Sequence, residues 1–300
     1  MRRQLIVQAT AVMAIFLVAV VALAQDYEIH LSRLSKVGAK HHLNATGSHA
    51  EYIEVTSGKR ALRTTDEKFT YQLSADVTVL ETDGKGHPTS ESLVVVNSKL
   101  MKDGAERTFL PPGLVLVAAV EDGKTVFKMD GKPLDKETSK VLSSAISLYT
   151  GGLDDEEIFG TRSRKRVGES WPINPDAAVA MLKELGAQGK KEDVTGTMTL
   201  EKVEGGHLFL HGSTTIKPLE MPLPSEFKPE GGELQGEFSG RFPMKDSDGS
   251  LRQTLKARIT LAARRAATGS TPEIRMTAFF ESSDEEEITP LTGEEKKAAK

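Results

Sequence analysis

Apolar and polar residues alternate with a period of two along most of this chain, the pattern of strands that bury one face. The clearest run spans Leu251 to Leu261. Leu255, Ala257, Ile259 and Leu261 project to one side, and Arg252, Thr254, Lys256, Arg258 and Thr260 to the other. Val194-Gly196-Met198-Leu200 alternates with Thr195, Thr197 and Thr199, and the same spacing recurs at Leu234-Gly236-Phe238-Gly240-Phe242 and at Ile274-Met276-Ala278-Phe280. A further strand covers His207 to Ile216. Turn-forming clusters separate these runs, at Glu204-Gly205-Gly206, Asp246-Ser247-Asp248-Gly249 and Thr268-Gly269-Ser270. Only the loop holding Pro218, Pro222, Pro224 and Pro229 is long. The pattern predicts a five-stranded antiparallel meander over residues 192–283.

The N-terminal half has the same character. Leu73, Ala75, Val77 and Val79 alternate with polar neighbours, and strands are predicted near 26–33, 37–45, 50–57, 91–101, 113–120 and 124–129. Turns fall at Asp83-Gly84-Lys85-Gly86, Asp103-Gly104 and Asp122-Gly123. Ser92 to Val96 is apolar in both registers, which predicts a strand covered on both faces. Between the halves the period changes to that of helices. Val141, Leu142, Ala145, Ile146 and Leu148 form one apolar stripe over Lys136 to Tyr149, stopped by Gly151-Gly152. A second helix starts at Asn174 as N-cap with Pro175 in its first turn, and ends at Gly186. Ala178, Met181, Leu182 and Leu185 give it one apolar face.

The expected fold class is α+β, mostly β: two antiparallel β-meander regions joined by a two-helix middle segment. The expected organisation is a signal peptide at 1–24, an N-terminal antiparallel β region at 25–133, a helical connector at 134–191, the C-terminal meander at 192–283, and a charged, disordered tail at 284–300. The leader assignment rests on Arg2 and Arg3, an apolar stretch densest from Ala11 to Leu23, and an A-x-A site at Ala22-Leu23-Ala24. Cleavage there places the mature protein outside the cytoplasm, as a periplasmic, cell-surface or secreted chain. The alternative is an uncleaved anchor, since Leu5 to Ala24 is just long enough to span a bilayer.

Composition narrows the chemistry. With 39 Lys and Arg against 43 Asp and Glu, the net charge of −4 argues against a general nucleic-acid binder. The absence of cysteine means that the core carries the fold without disulfides, and it excludes thiol catalysis and cysteine-based zinc sites. No cofactor-binding motif stands out.

The candidate sites are weak as catalytic motifs. Gly168-Glu169-Ser170-Trp171-Pro172 nearly spells the G-x-S-x-G nucleophile elbow. Pro172 holds Trp171 extended where an elbow must bend, and an antiparallel meander is the wrong scaffold, so Ser170 is not read as a nucleophile. Ser225-Glu226-Phe227-Lys228 matches S-x-x-K, but S-D-N and K-T-G are missing from the chain. The seven histidines, His30, His41, His42, His49, His87, His207 and His211, form no H-E-x-x-H. His207 and His211 share a strand face roughly 13 Å apart, too far for one ion. His41 and His42 face opposite ways; a His41 and His49 cluster is the one conceivable pairing. Asn44-Ala45-Thr46 is a glycosylation sequon, relevant only in a eukaryotic secretory route. No catalytic or metal residue is assigned.

Two features could bind a ligand or partner. Asp154-Asp155-Glu156-Glu157 closely precedes the basic Arg162, Arg164, Lys165 and Arg166. The blocks either pair with each other or leave a basic loop free to dock an anionic surface. Trp171, the only tryptophan, either packs in a corner of the core or stacks on a ligand.

Lys165 to Ile173, KRVGESWPI, resembles a K/R-V-G-D/E-x-W element of exported, β-rich bacterial proteins. The resemblance implies a long β region, this element, a helix and a second β region, and it carries no catalytic residue across. The resulting expectation is an exported, non-enzymatic protein whose sheets bind an apolar or amphiphilic ligand or an envelope partner. The alternatives are a structural or assembly component of the envelope, acting through exposed edge strands and the charged 154–166 loop, and a hydrolase built from scattered acids and histidines.

Overall fold

The computed structural model describes residues 25–31, 34–184, 186–223, 225–245, 249–269 and 272–291. The expected leader at 1–24, and the part of the expected tail from 292 onward, lie outside the described residues. Among the described residues there are thirteen strands: β1 (Lys40–Ser57), β2 (Arg60–Thr82), β3 (Pro88–Lys102), β4 (Ala105–Arg107), β5 (Val115–Glu121), β6 (Lys124–Met129), β7 (Lys132–Pro133), β8 (Ser170–Pro172), β9 (Val194–Glu204), β10 (His207–Ile216), β11 (Lys228–Pro243), β12 (Leu251–Arg265) and β13 (Ile274–Pro290). The described helices are α1 (Lys136–Ala145), α2 (Asp155–Phe159) and α3 (Pro175–Glu184), with a 3-10 turn at Lys191–Asp193.

All strands join one antiparallel sheet in the order β7-β6-β5-β3-β2-β1-β13-β12-β11-β10-β9-β8, with β4 paired to β3. The two expected β-meander regions therefore meet in a single sheet. β1 and β13 pair along nearly their whole length, from His41 opposite Pro290 to Thr56 opposite Arg275. Periodicity within each half is blind to this seam, because the pairing joins residues more than two hundred positions apart. The same seam extends β13 through Asp284 to Pro290, where a disordered tail was expected. Asp284 to Glu287 are polar, yet each is laddered on one side to β1 and on the other to β12. The runs 37–45 and 50–57 are likewise one strand, β1, and residues 26–31 form an extended strap rather than a strand of the sheet.

One face of the sheet carries the core. Leu43, Ala45, Tyr71, Leu73, Ala75 and Val77 are buried on β1 and β2, and Met198, Leu200, Leu208, Leu210, Phe238 and Phe242 on β9 to β11. These belong to one contiguous apolar cluster that also takes in Val141, Leu142, Phe159 and Trp171 from the connector. The reason is topological. The segment between β7 and β8 joins opposite edges of one sheet, so it must cross a face. α1 touches β6, β1 and β13, and α3 packs beside β9. A smaller cluster of Leu182, Ala187, Ile216, Leu219 and Leu234 fills the space under α3.

The opposite face is solvated. It bears threonines, serines and cross-strand pairs such as Arg258–Glu281 (2.9 Å) and Arg252–Glu285 (2.6 Å). Val94 and Val96 stand on it about half exposed, so the expectation that this strand is covered on both sides is also corrected. The connector supplies one covering layer, not two.

Helix boundaries follow local chemistry. Asp135 caps α1 through Thr138 N–H (2.9 Å), and the helix ends at Ala145 because Ile146 turns extended. α2 was not anticipated, since Asp154 to Glu157 reads as a charge run. It is a capping box, with Asp154 accepting from Glu157 N–H (2.9 Å) and Glu157 reaching back to Asp154 N–H (3.3 Å). Asn174 accepts from Asp176 and Ala177 N–H at the start of α3, and Gly186 takes the positive φ that ends it.

At the centre of the seam Gly47 lies opposite Asp284 on β13 and Tyr71 on β2. The Tyr71 hydroxyl lies 2.8 Å from the Ser144 carbonyl of α1 and 2.9 Å from Asp284 Oδ1. Burial holds the Asp284 carboxyl above its ordinary range and also raises the Tyr71 hydroxyl. A side chain at position 47 would overlap both the Asp284 carboxylate and the Tyr71 ring. Gly47→Ala should therefore cost about 1–3 kcal/mol, as overpacking does in a rigid setting, read as a lower urea midpoint.

α1 is also tied down by charge. Lys140 reaches Glu67 (2.9 Å), Lys102 reaches both Glu67 (3.0 Å) and Glu137 (3.1 Å), and Arg107 reaches Glu137 (2.7 Å). The hydrogen bonds from Lys140 and Lys102 lower the Glu67 carboxyl from 4.5 to about 2. A carboxyl depressed on folding stabilises above its unfolded value and loses that contribution as pH falls toward the folded one. Stability should thus decline between about pH 4.5 and 2. Glu67→Gln should be less stable at pH 7 and show a shallower decline in that window, measured by urea denaturation at a series of pH values.

Candidate functional site

The strap, described at residues 25–31 and 34–39, runs along one end of the core face. Tyr27 and Lys165 exchange both backbone hydrogen bonds (2.8 Å each), Leu31 N–H donates to Glu156 Oε2 (2.5 Å), and Ser35 N–H donates to the Gly86 carbonyl (2.8 Å). Tyr27, Ile29 and Leu31 alternate into the core. Where the strap passes the ends of β1, β12 and β13 it leaves an open cleft of about 850 Å³. Its apolar wall includes Leu31, Phe242, Met244, Leu251 and Ile288, and Lys36, Lys40 and Lys85 stand at its rim. A second hollow of about 280 Å³ lies alongside, reaching Glu91, Tyr149 and Glu286. The two share Leu31, His41, His87, Asp154, Leu251 and Ile288 as walls.

His87 links three elements at this junction. Its Nδ1 lies 2.9 Å from Asp83 Oδ2 in the β2–β3 turn, its Nε2 lies 3.4 Å from Asp154 Oδ2 at the α2 N-cap, and its ring packs against Tyr149 at 4.4 Å. Asp83 also accepts from Lys85 and His87 N–H (2.8 Å each). The hydrogen bond from the His87 side chain is the largest cause that holds the Asp83 carboxyl well below the ordinary range. This acid–histidine–acid convergence is what a hydrolase reading needs. However, His87 is only 7 % exposed and both ring nitrogens face carboxylates. The group therefore holds the β2–β3 turn against α2, as a latch would.

The residues singled out from sequence lie elsewhere. Trp171 is 4 % exposed on β8, and its indole N–H donates to the Phe159 carbonyl (2.8 Å). β8 is extended and laddered to β9, so Ser170 sits on no elbow; its Oγ lies 2.7 Å from Thr199 Oγ1. The basic block pairs with the strap rather than with the acidic block. Arg166 contacts Asp26 (2.8 Å), Arg164 approaches Glu28 (4.0 Å), and Lys165 pairs with Glu169 (3.1 Å) while its ammonium lies 5.8 Å from the Trp171 ring. Arg162 is exposed. None of Arg162, Arg164, Lys165, Arg166, Ser170 and Trp171 is among the cleft walls. His41 is buried at the cleft, whereas His49 stacks on Phe69 (5.1 Å), so the two do not meet. Among the described residues no cluster of three or more His, Asp or Glu is placed to hold a metal ion.

Sequence reasoning missed Asp83, His87 and the three rim lysines as a site. Asp83 and His87, four apart in a turn, were a local signal; Asp154 joins them only through the fold.

No protein-family model matches the chain, and no curated protein matches it. Among solved structures it is similar to lipovitellin, from a study of lipid–protein interactions, at 5 % identity over 86 % of this chain, with a TM-score of 0.31. It spans only 25 % of that lipovitellin chain. It also aligns with the outer membrane protein OprG of Pseudomonas aeruginosa, at 4 % identity over 86 % of this chain and 99 % of that one, with a TM-score of 0.18. With OmpF of Salmonella typhi the values are 9 %, 80 %, 97 % and 0.19. Overlaps this loose define no shared fold. A transmembrane barrel also needs closure and an apolar outer band, whereas here β7 and β8 are separate edges of an open sheet whose outer face carries ion pairs. No described helix is long and apolar enough to cross a membrane.

Trp171→Ala should cost about 3–5 kcal/mol, because it empties a buried corner. Ser170→Ala should stay within about 0.5 kcal/mol, as exposed substitutions usually do. Urea titrations followed by far-UV circular dichroism check both.

Proposed function

We propose that this is an exported, non-enzymatic protein that holds an apolar or amphiphilic small molecule between its sheet and its N-terminal strap. The observation that carries this reading is the cleft of about 850 Å³ with Leu31, Phe242, Leu251 and Ile288 in its wall. Small-molecule sites typically measure roughly 300–1,000 Å³ and combine an apolar lining with a few polar groups at fixed places. The latch at His87 and the backbone bonds of the strap support a preformed site, since they hold two of its walls without a ligand. Location outside the cytoplasm rests on the basic and apolar leader with its Ala22-Leu23-Ala24 site.

Assembly through open sheet edges draws less support. Among the described residues the sheet order ends in β7 with 2 residues and β8 with 3 residues, and β4, paired to β3 off that order, has 3; short edge strands are a common defence against strand addition.

The neutral fluorophore N-phenyl-1-naphthylamine tests the site directly. The wild-type protein should bind it with saturable enhancement. Ala39→Trp, which places an indole in the cleft from a half-buried position, should weaken binding at least about tenfold while leaving the circular dichroism spectrum unchanged. Equal binding by both proteins would refute the assignment of the site.

A further inference from the structure

The cleft's charges are sorted by whether the fold already uses them. Asp154, Glu156 and Glu157 line it, and each is engaged within the protein. Asp154 accepts from Glu157 N–H and faces His87, Glu156 accepts from Leu31 N–H with His30 at 3.7 Å, and Glu157 accepts from Asp154 N–H. The lysines at the same cleft are different. Lys36, Lys40 and Lys85 are solvent-exposed, come from the strap, the start of β1 and the β2–β3 turn, and have no carboxylate within 4 Å among the described residues. Elsewhere some lysines find such partners, as Lys102, Lys140, Lys165, Lys202 and Lys217 show, and others, such as Lys59, Lys124 and Lys132, stand exposed as these three do. Three ammonium groups, two from the run of chain that leads into β1 and one from the β2–β3 turn, thus border one apolar cleft in a protein whose overall charge is negative.

We propose that the cleft selects an anionic amphiphile, with its acidic head group held by Lys36, Lys40 and Lys85 and its apolar chain laid against Phe242, Leu251 and Ile288. This inference rests on the ligand-binding reading above and adds the class of ligand. A carboxylate or phosphate head would take charge-assisted hydrogen bonds from the ammonium groups. The chain would also cover Leu34 and Met244, the apolar lining residues that stand exposed to water. The lysines act as point charges on flexible stems, so they select for negative charge rather than for one head-group shape.

Isothermal titration of the full mature chain with decyl phosphate, decyl maltoside and decyltrimethylammonium, all below their micelle-forming concentrations, separates the terms. Inorganic phosphate serves as the head group alone. Decyl phosphate should bind at least about tenfold tighter than decyl maltoside, with the difference shrinking at high salt. Inorganic phosphate and the cationic chain should bind most weakly. The triple variant Lys36→Ala/Lys40→Ala/Lys85→Ala changes only exposed side chains. It should lose the preference for decyl phosphate and keep its affinity for decyl maltoside. Equal binding of the phosphate and the maltoside by the wild type, or a preference that survives the triple variant, would overturn the head-group inference and leave the ligand-binding reading standing. Inorganic phosphate binding as tightly as decyl phosphate would reduce the site to an anion site and overturn the amphiphile. If none of the chains binds, the ligand-binding reading itself fails and this inference falls with it.

Discussion

The pairing of β1 with β13 is the constraint on which the rest of the structure depends. It joins the first and last strands of the described sheet, so two runs of sequential antiparallel strands become the wings of one sheet. Once the wings are joined, the segment that links β7 to β8 has to travel from one edge to the other. It can do so only across a face, and the apolar stripes of α1 and α3 decide which face. The core is then a single layer of side chains between the sheet and its own connector. The seam also brings Leu43, Leu251 and Ile288 side by side at one end, where Leu251 and Ile288 wall the cleft and all three wall the smaller hollow beside it.

Several polar groups in and around this core sit where elements are held in position. Tyr71 and Asp284 fasten the end of α1 to the seam. Glu67 and Glu137 fasten its start through three cations. The Trp171 indole fastens β8 to the end of α2, and His87 fastens α2 to the β2–β3 turn. Buried polar groups contribute most where each partner is satisfied, because one left alone costs more than the bond returns. The connector is thereby fixed at several points along its path, which keeps the cleft beside it open in a defined shape.

Much of this was legible in the sequence, and the limits have physical causes. Alternation marked most of the strands, and the Asn174–Pro175 start and Gly186 stop marked α3 closely. The extended reading of Ser170-Trp171-Pro172 agrees with β8. The seam was not legible, because pattern reading is local and β13 ends in a run of acids that resembles a tail. α2 was hidden for a similar reason: its first turn is entirely acidic, which is favourable at a helix N-terminus but has the composition of a solvated loop. Arg164 and Arg166 carried an ambiguous charge signal; their partners, Asp26 and Glu28, are distant in sequence and belong to the strap. The cleft residues gave almost no signal, since a site assembled from a strap, a turn and three strand ends has no spacing of its own.

Coincidence of unfolding probes tests the central claim, that one seam makes one core. Trp171 is the only tryptophan and reports on the β8 edge, while far-UV circular dichroism reports on the whole sheet. A fluorophore on a cysteine introduced at exposed Lys124 in β6 would report on the other wing. If β1 and β13 bind the wings into one cooperative unit, all three probes should give a single superimposable urea transition. Separate midpoints for Trp171 and the β6 label would contradict it, because they would show two wings that fold on their own.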